Sequence, residues 1–129
     1  MRDTSPKKVL IVDDEAYIRL LIEQTLEDLE DRGLEILSAT NGKDALKLIQ
    51  AERPQLVFLD VMMPNLSGFD VCRIVKHELK LKDIYIVVLT AKGQEHDRQL
   101  SDEVGADAYM TKPFDPNELF DLALAVLFP

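Results

Sequence analysis

Residues Gln55–Asp70 read QLVFLDVMMPNLSGFD. The first five read as a strand buried on both faces: Leu56–Leu59 is an apolar run too short for a helix, and Pro54 precedes the segment. Asp60 follows directly. Residues 61–68, VMMPNLSG, carry the Pro and Gly punctuation of a loop. From Phe69 to Leu79, Val71, Cys72, Val75 and Leu79 recur at helical spacing on one face. A buried strand, an acid at its carboxyl end, a loop and an amphipathic helix therefore follow one another without interruption.

The same unit recurs on both sides. Upstream, KVLIV (Lys8–Val12) precedes Asp13-Asp14 and a helical stripe over Glu15–Glu30, with Gly33 as its stop signal. EILSA (Glu35–Ala39) reads as a more exposed strand, and Lys43–Glu52 as a helix with Ala45, Leu46, Leu48 and Ile49 inward. Downstream, IYIVVL (Ile84–Leu89) is the strongest strand, and a polar helix covers about Gln94–Val104, ending at Gly105. Ala108–Met110 is a short strand. The last helix opens with Asp115 as N-cap, Pro116 at the first helical position and Glu118 in a capping-box spacing.

Five strand–helix units in a row demand a parallel sheet with helices on both faces. The expected architecture is one flavodoxin-like, doubly wound (βα)5 domain of the α/β class, strand order 2-1-3-4-5. It occupies residues 1–129, with a loose terminus at 1–6 and a core at about 7–127.

Composition narrows the function. With 47% apolar and 30% charged residues the chain is a globular domain, not a disordered one. A mass of 14.6 kDa suits a single core. The longest apolar run, Leu122–Phe128, has seven residues, far short of the ~20 of a membrane span. The lone Cys72 cannot form an internal disulfide, and Met1–Lys8 is polar, which together point to the cytoplasm. A net charge of −9, with no basic patch, argues against direct nucleic-acid binding.

The polar residues at the strand ends carry the chemistry. In an open parallel sheet all carboxyl ends lie on one edge, and ligands bind where the strand order reverses. Strands 1 and 3 meet there. Asp13, Asp14 and Asp60 would share a pocket, flanked by Thr90 after strand 4 and Lys112 after strand 5. Three converging carboxylates repel one another and call for a cation, a shared proton or a functional role that offsets the repulsion. An all-oxygen set with room for water favours Mg²⁺. A lysine supplies a point charge for a phosphoryl oxygen, and Thr90 a hydroxyl donor. A carboxylate nucleophile, a metal, a lysine and a hydroxyl together describe phosphoryl transfer.

At these residues the sequence resembles the receiver domain of two-component response regulators, over about Lys7 to Leu127. The matching segments are VDDE (Val12–Glu15), LDVMMPNLSGFD (Leu59–Asp70), LTA (Leu89–Ala91) and GADAYMTKPF (Gly105–Phe114), in order and each at a strand end. The resemblance implies that Asp60 is the phosphoacceptor. Asp13, Asp14, Asp60 and the backbone carbonyl of Met62 would bind Mg²⁺, with Mn²⁺ as a substitute. Thr90 and Tyr109 would form the switch pair, Lys112 would bind a phosphoryl oxygen, and Lys112–Pro113 would be cis. It further implies a sensor histidine kinase or histidine phosphotransfer protein as donor. The output domain or partner would dock on the face of the fourth helix, fifth strand and fifth helix (α4–β5–α5, about Gln94 to Leu127), and a phosphorylation-linked dimer is compatible with it. No membrane partner is implied. The domain would be a signalling switch and not a metabolic enzyme, although it takes part in its own phosphorylation and dephosphorylation.

Aspartate-nucleophile phosphatases share much of this set but need a second Asp two residues after the nucleophile, where Met62 stands. The resemblance implies that Met62 and Lys92 flank the path of the hydrolytic water; neither can accept its proton, so a long-lived phosphorylated state is expected. Cys72 reads as core, and Lys76–Lys82 (KHELKLK) as a solvated helix end.

Overall fold

The computed structural model describes residues 6–91 and 95–129, with the backbone alone at residues 95 and 96. Lys92, Gln94 and the first five residues lie outside the described residues. Five strands, β1 (Lys7–Val12), β2 (Leu34–Ala39), β3 (Leu56–Asp60), β4 (Tyr85–Ala91) and β5 (Ala108–Lys112), alternate with five helices. These are α1 (Ala16–Leu26), α2 (Gly42–Glu52), α3 (Gly68–Arg73), α4 (Glu95–Glu103) and α5 (Pro116–Leu127). Every strand pair is parallel, and the sheet order is β2-β1-β3-β4-β5, as the sequence pattern predicts.

Alternate residues of each strand feed two separate cores. Leu10, Val12, Val57, Leu59, Ile86 and Val88 pack with Ala45, Ile49, Val71, Cys72 and Val75 of α2 and the α3 segment. Val9, Ile11, Phe58, Val87 and Leu89 point the other way, onto Ile22 and Leu26 of α1 and Leu119, Ala123 and Leu127 of α5. The period-2 pleat thus divides the helices between the faces, and β1 and β3, buried on both, read as unbroken apolar runs.

Local chemistry adjusts the predicted boundaries. The first helix tightens into a 3-10 turn at Glu27–Arg32, stopped by Gly33 at φ 91°. The expected capping box at α5 is incomplete: Asp115 accepts from Asn117 N–H. The reciprocal box forms at α3 instead, where Ser67 and Asp70 each bind the other's backbone N–H. There is no room for a side chain at Gly68: a Cβ would collide with the Asp60 carbonyl oxygen and lie 2.8 Å from its carbon. Gly68 is therefore needed for close approach of α3 to the end of β3.

The KHELKLK segment keeps His77, Glu78, Lys80 and Lys82 exposed, as a solvated helix end should, but Lys76 departs from that expectation. Residues Ile74–Glu78 continue α3 as a π-helical turn, and Lys76 in that turn is only 5% exposed. Its ammonium donates to the carbonyls of Ile84 (2.6 Å) and Lys82 (3.1 Å) and pairs with Asp107 Oδ2 at 2.8 Å. Asp107 Oδ2 also accepts from Ile86 N–H. One ammonium thereby ties the π-helical turn to the start of β4 and the entry to β5, because backbone carbonyls and a carboxylate converge where the lysine stem crosses the core.

Candidate functional site

The sheet register sets the site. Val12 of β1 pairs with Leu59 of β3, so the next residues, Asp13 and Asp60, emerge side by side on the carboxyl edge. Asp60 in turn pairs with Leu89, and Ala91 with Lys112. Asp60, Thr90 and Lys112 all lie within their strands rather than after them, so their backbones are fixed by ladder hydrogen bonds.

The structure brings three of the predicted residues, Asp13, Asp60 and Lys112, into direct contact. Lys112 Nζ lies 2.7 Å from Asp13 Oδ2 and 3.0 Å from Asp60 Oδ1. Asp13 and Asp60 are both buried. Asp60 Oδ1 also accepts from Met62 N–H at 3.2 Å. Among the described residues no hydrogen bond reaches Asp60 Oδ2. Asp13 Oδ1 accepts from Glu15 N–H at 2.9 Å and so shapes the turn into α1, while Glu15 occupies the N-cap without a side-chain cap bond. Arg19 Nη1 donates to the Asp13 carbonyl at 2.8 Å, a contact that nothing in the linear pattern signals.

Burial pushes the Asp60 carboxyl above its ordinary pKa. The Asp13 charge adds to that, and the bonds from Lys112 and Met62 oppose it without cancelling it. For Lys112, burial alone would lower the ammonium's pKa, but its bonds to Asp13 and Asp60 and their two charges outweigh it and raise the value. One cation shared by two buried acids leaves the pocket short of positive charge.

Asp13, Asp14 and Glu15 form a group whose carboxylate oxygens approach within 4.8 Å of one another. Asp14 and Glu15 are exposed, so this group opens to solvent beside the buried pair. Glu15 extends the acidic set beyond the two residues the motif suggests; its direct adjacency to Asp14 was the available signal. Thr90 is buried and its Oγ1 donates to the Met110 carbonyl of β5 at 3.4 Å. Tyr109 points outward, 37% exposed, with the Arg98 guanidinium over its ring. The Met62 side chain stands in solvent at 74% exposure. The Lys112–Pro113 bond is cis, as expected. Burial pushes the Cys72 thiol up to about 12, in keeping with a core residue.

A parallel five-stranded domain with this acid–lysine pocket at the switch point belongs to a recognisable class of signalling module. Residues 9–124 match the family model of the response regulator receiver domain, and the chain belongs to that family, the receivers of two-component signalling. Among curated relatives, the probable transcriptional regulator ycf27 of Porphyra purpurea is 44% identical over 117 residues, covering 91% of this chain and 46% of that protein. The alkaline phosphatase synthesis transcriptional regulatory protein PhoP of Bacillus subtilis is 42% identical over 121 residues, covering 94% and 48%. The phosphate regulon transcriptional regulatory protein PhoB of Pseudomonas aeruginosa is 46% identical over 121 residues, covering 94% and 52%. The chain thus spans about half the length of these relatives.

Solved structures agree on the fold. A putative response regulator from Chloroflexus aurantiacus superposes with a TM-score of 0.84 at 32% identity, covering 97% of this chain and all of that one. Chemotaxis protein CheY4 of Vibrio cholerae gives 0.82 at 33% identity, covering 95% and 100%. A BeF3-activated DrrB receiver domain gives 0.83 at 29% identity, covering 97% and 100%.

Proposed function

We propose that residues 1–129 act as a single receiver domain that takes a phosphoryl group on Asp60 from a sensor histidine kinase or histidine phosphotransfer protein. The observation that carries this reading is the Lys112 ammonium bound by both Asp13 and Asp60 at the sheet edge. An Asp60 oxygen attacks phosphorus, the P–N bond of the donor's phosphohistidine breaks, and the imidazole nitrogen leaves with the electron pair and takes up a proton. Oδ2 is suited to the attack, because Oδ1 is held by Lys112 and Met62 N–H. Lys112 then follows the charge onto a phosphoryl oxygen. Water attacking the same phosphorus reverses the modification, releasing inorganic phosphate.

The donor set fits a hard divalent cation: every candidate is a carboxylate or carbonyl oxygen, and Asp14 and Glu15 face solvent. Asp13, Asp14, Asp60 and the Met62 carbonyl would hold Mg²⁺, or Mn²⁺ in its place. When bound, the metal supplies the positive charge that the pocket lacks and neutralises phosphoryl oxygens.

Phosphorylation would draw Thr90 away from the Met110 carbonyl and reorganise Tyr109 and the α4–β5–α5 face, controlling an output domain or partner. The names of the curated relatives favour transcriptional control, exerted from the cytoplasm through a segment or partner other than this acidic domain. No helix among the described residues is long and apolar enough to cross a membrane.

The test is intact-mass measurement after incubation with acetyl phosphate and Mg²⁺. The parent should gain about 80 Da, one phosphoryl group, and Asp60→Asn should gain nothing while keeping its circular dichroism spectrum. An undiminished adduct on Asp60→Asn would overturn the assignment.

A further inference from the structure

Arg98 lies on α4 with its guanidinium carbon 5.4 Å from the centroid of the Tyr109 ring on β5. Among the described residues the Arg98 guanidinium forms no ion pair. Tyr109 also lines a groove together with Thr111, Pro113, Phe114 and Glu118. We infer that Arg98 is a latch: it holds Tyr109 outward and so sets how readily the Asp60 pocket accepts a phosphoryl group. The inference rests on the switch reading proposed above and adds the residue that biases it.

The coupling runs through adjacent backbone positions. Tyr109 pairs in register with Val88, and the residue after it, Met110, offers its carbonyl to the Thr90 hydroxyl. A Thr90 hydroxyl that turns to a phosphoryl group on Asp60 must release that carbonyl. An inward swing of the neighbouring ring into the space Thr90 leaves must break the Arg98 stack. Whatever stabilises the outward ring therefore weakens, by the same factor, any ligand that needs the inward one. A guanidinium–aromatic stack at an exposed site corresponds to a two- to five-fold bias. Arg98 is a positioning residue in this scheme, since it acts through Tyr109 and not on the phosphoryl group.

The sign of the effect separates the latch from plain electrostatics. A cation near an anion site attracts the anion, so its loss should weaken binding. Loss of a latch should strengthen it.

The experiment titrates beryllofluoride with Mg²⁺ into the full chain and reads the dissociation constant from amide NMR shifts around Asp60. Arg98→Ala should bind about two- to five-fold more tightly than the parent, and Arg98→Lys, which keeps the charge without the planar fork, should fall between them. In free Arg98→Ala the Tyr109 ring resonances should move toward their bound positions, a change that a merely structural role would not cause. In a Tyr109→Leu background, Arg98→Ala should leave the affinity unchanged. Unchanged or weaker binding by Arg98→Ala, or an equal gain without the Tyr109 ring, would overturn the latch while leaving the receiver switch intact. A parent that binds no beryllofluoride would overturn both.

Discussion

Replacing Lys76 with methionine should destabilise this domain far more than a surface lysine would. The substitution keeps the apolar stem and the approximate volume but removes the ammonium. That ammonium has contacts of 2.6, 3.1 and 2.8 Å to the Ile84 carbonyl, the Lys82 carbonyl and Asp107. Removing one partner of a fully buried ion pair costs roughly 3–5 kcal/mol. Here the Lys76 side chain is 7% exposed and that of Asp107 31%, so water compensates part of the carboxylate's loss. Asp107 also keeps its bond from Ile86 N–H. The cost should therefore lie at the low end, about 3 kcal/mol once the two orphaned carbonyls are included. For a domain of this size that is a fall in Tm of roughly 10 °C. Thermal melts by circular dichroism on Lys76→Met, Asp107→Asn and the double variant would measure it. The double variant should be more stable than the sum of the singles implies, by about 1 kcal/mol or more, because the two residues share one interaction. A Lys76→Met melt within 2 °C of the parent, or strict additivity, would refute the claim that this pair ties the π-helical turn to β4 and β5.

The remaining expectations concern the site and its supports. Gly68→Ala should lower stability by about 3 kcal/mol, since its Cβ meets the rigid backbone of Asp60, and urea unfolding would show it. The Asp60 carboxyl titrates higher in the folded state, so the folded protein holds the proton more tightly and loses stability as pH rises above the ordinary carboxylate value of about 3.9. In EDTA, Asp60→Asn should accordingly melt above the parent at pH 7, with the gap closing toward pH 3; a constant gap would contradict the sign. Mg²⁺ at ten times its dissociation constant should add about 1.4 kcal/mol, roughly 5 °C, to the parent and almost nothing to Asp14→Ala, as scanning calorimetry can test. Phosphorylated Met62→Asn should lose its phosphoryl group faster than the parent in Mg²⁺, because a polar side chain beside Asp60 can orient the attacking water; equal decay, followed by intact mass, would discount Met62.

Much of this molecule was legible in the linear sequence because the relevant signals are local. Strand and helix periodicities reflect which face of each element is buried. The polar residues that interrupt the apolar runs at Asp13, Asp60 and Thr90, and after Met110, mark the sheet edge. The strand order and the cis bond agreed with the family resemblance, and the pocket residues converge where the topology places them. Departures arose where local chemistry has near-equal alternatives: a 3-10 turn after Leu26, and a box at Ser67–Asp70 in place of one at Asp115–Glu118.

Only the tertiary structure decided which groups share a proton or a charge. Lys112 and Asp13 stand 99 residues apart, and no periodicity states that one ammonium lies between Asp13 and Asp60. The KHELKLK run reads as solvated because lysine's hydration normally outweighs any gain from burial. Lys76 is buried because two carbonyls and Asp107, from segments separate from its own helix, converge on its ammonium; its position four residues after Cys72, on the apolar stripe, was the faint trace of this. Gly68 likewise looks like a loop residue until β3 and α3 are packed, when the Asp60 backbone fills the space a side chain would need. A sequence fixes which faces are apolar and where chains turn, since those are properties of neighbours; the partner of a buried charge depends on which distant segments the fold brings into contact with it.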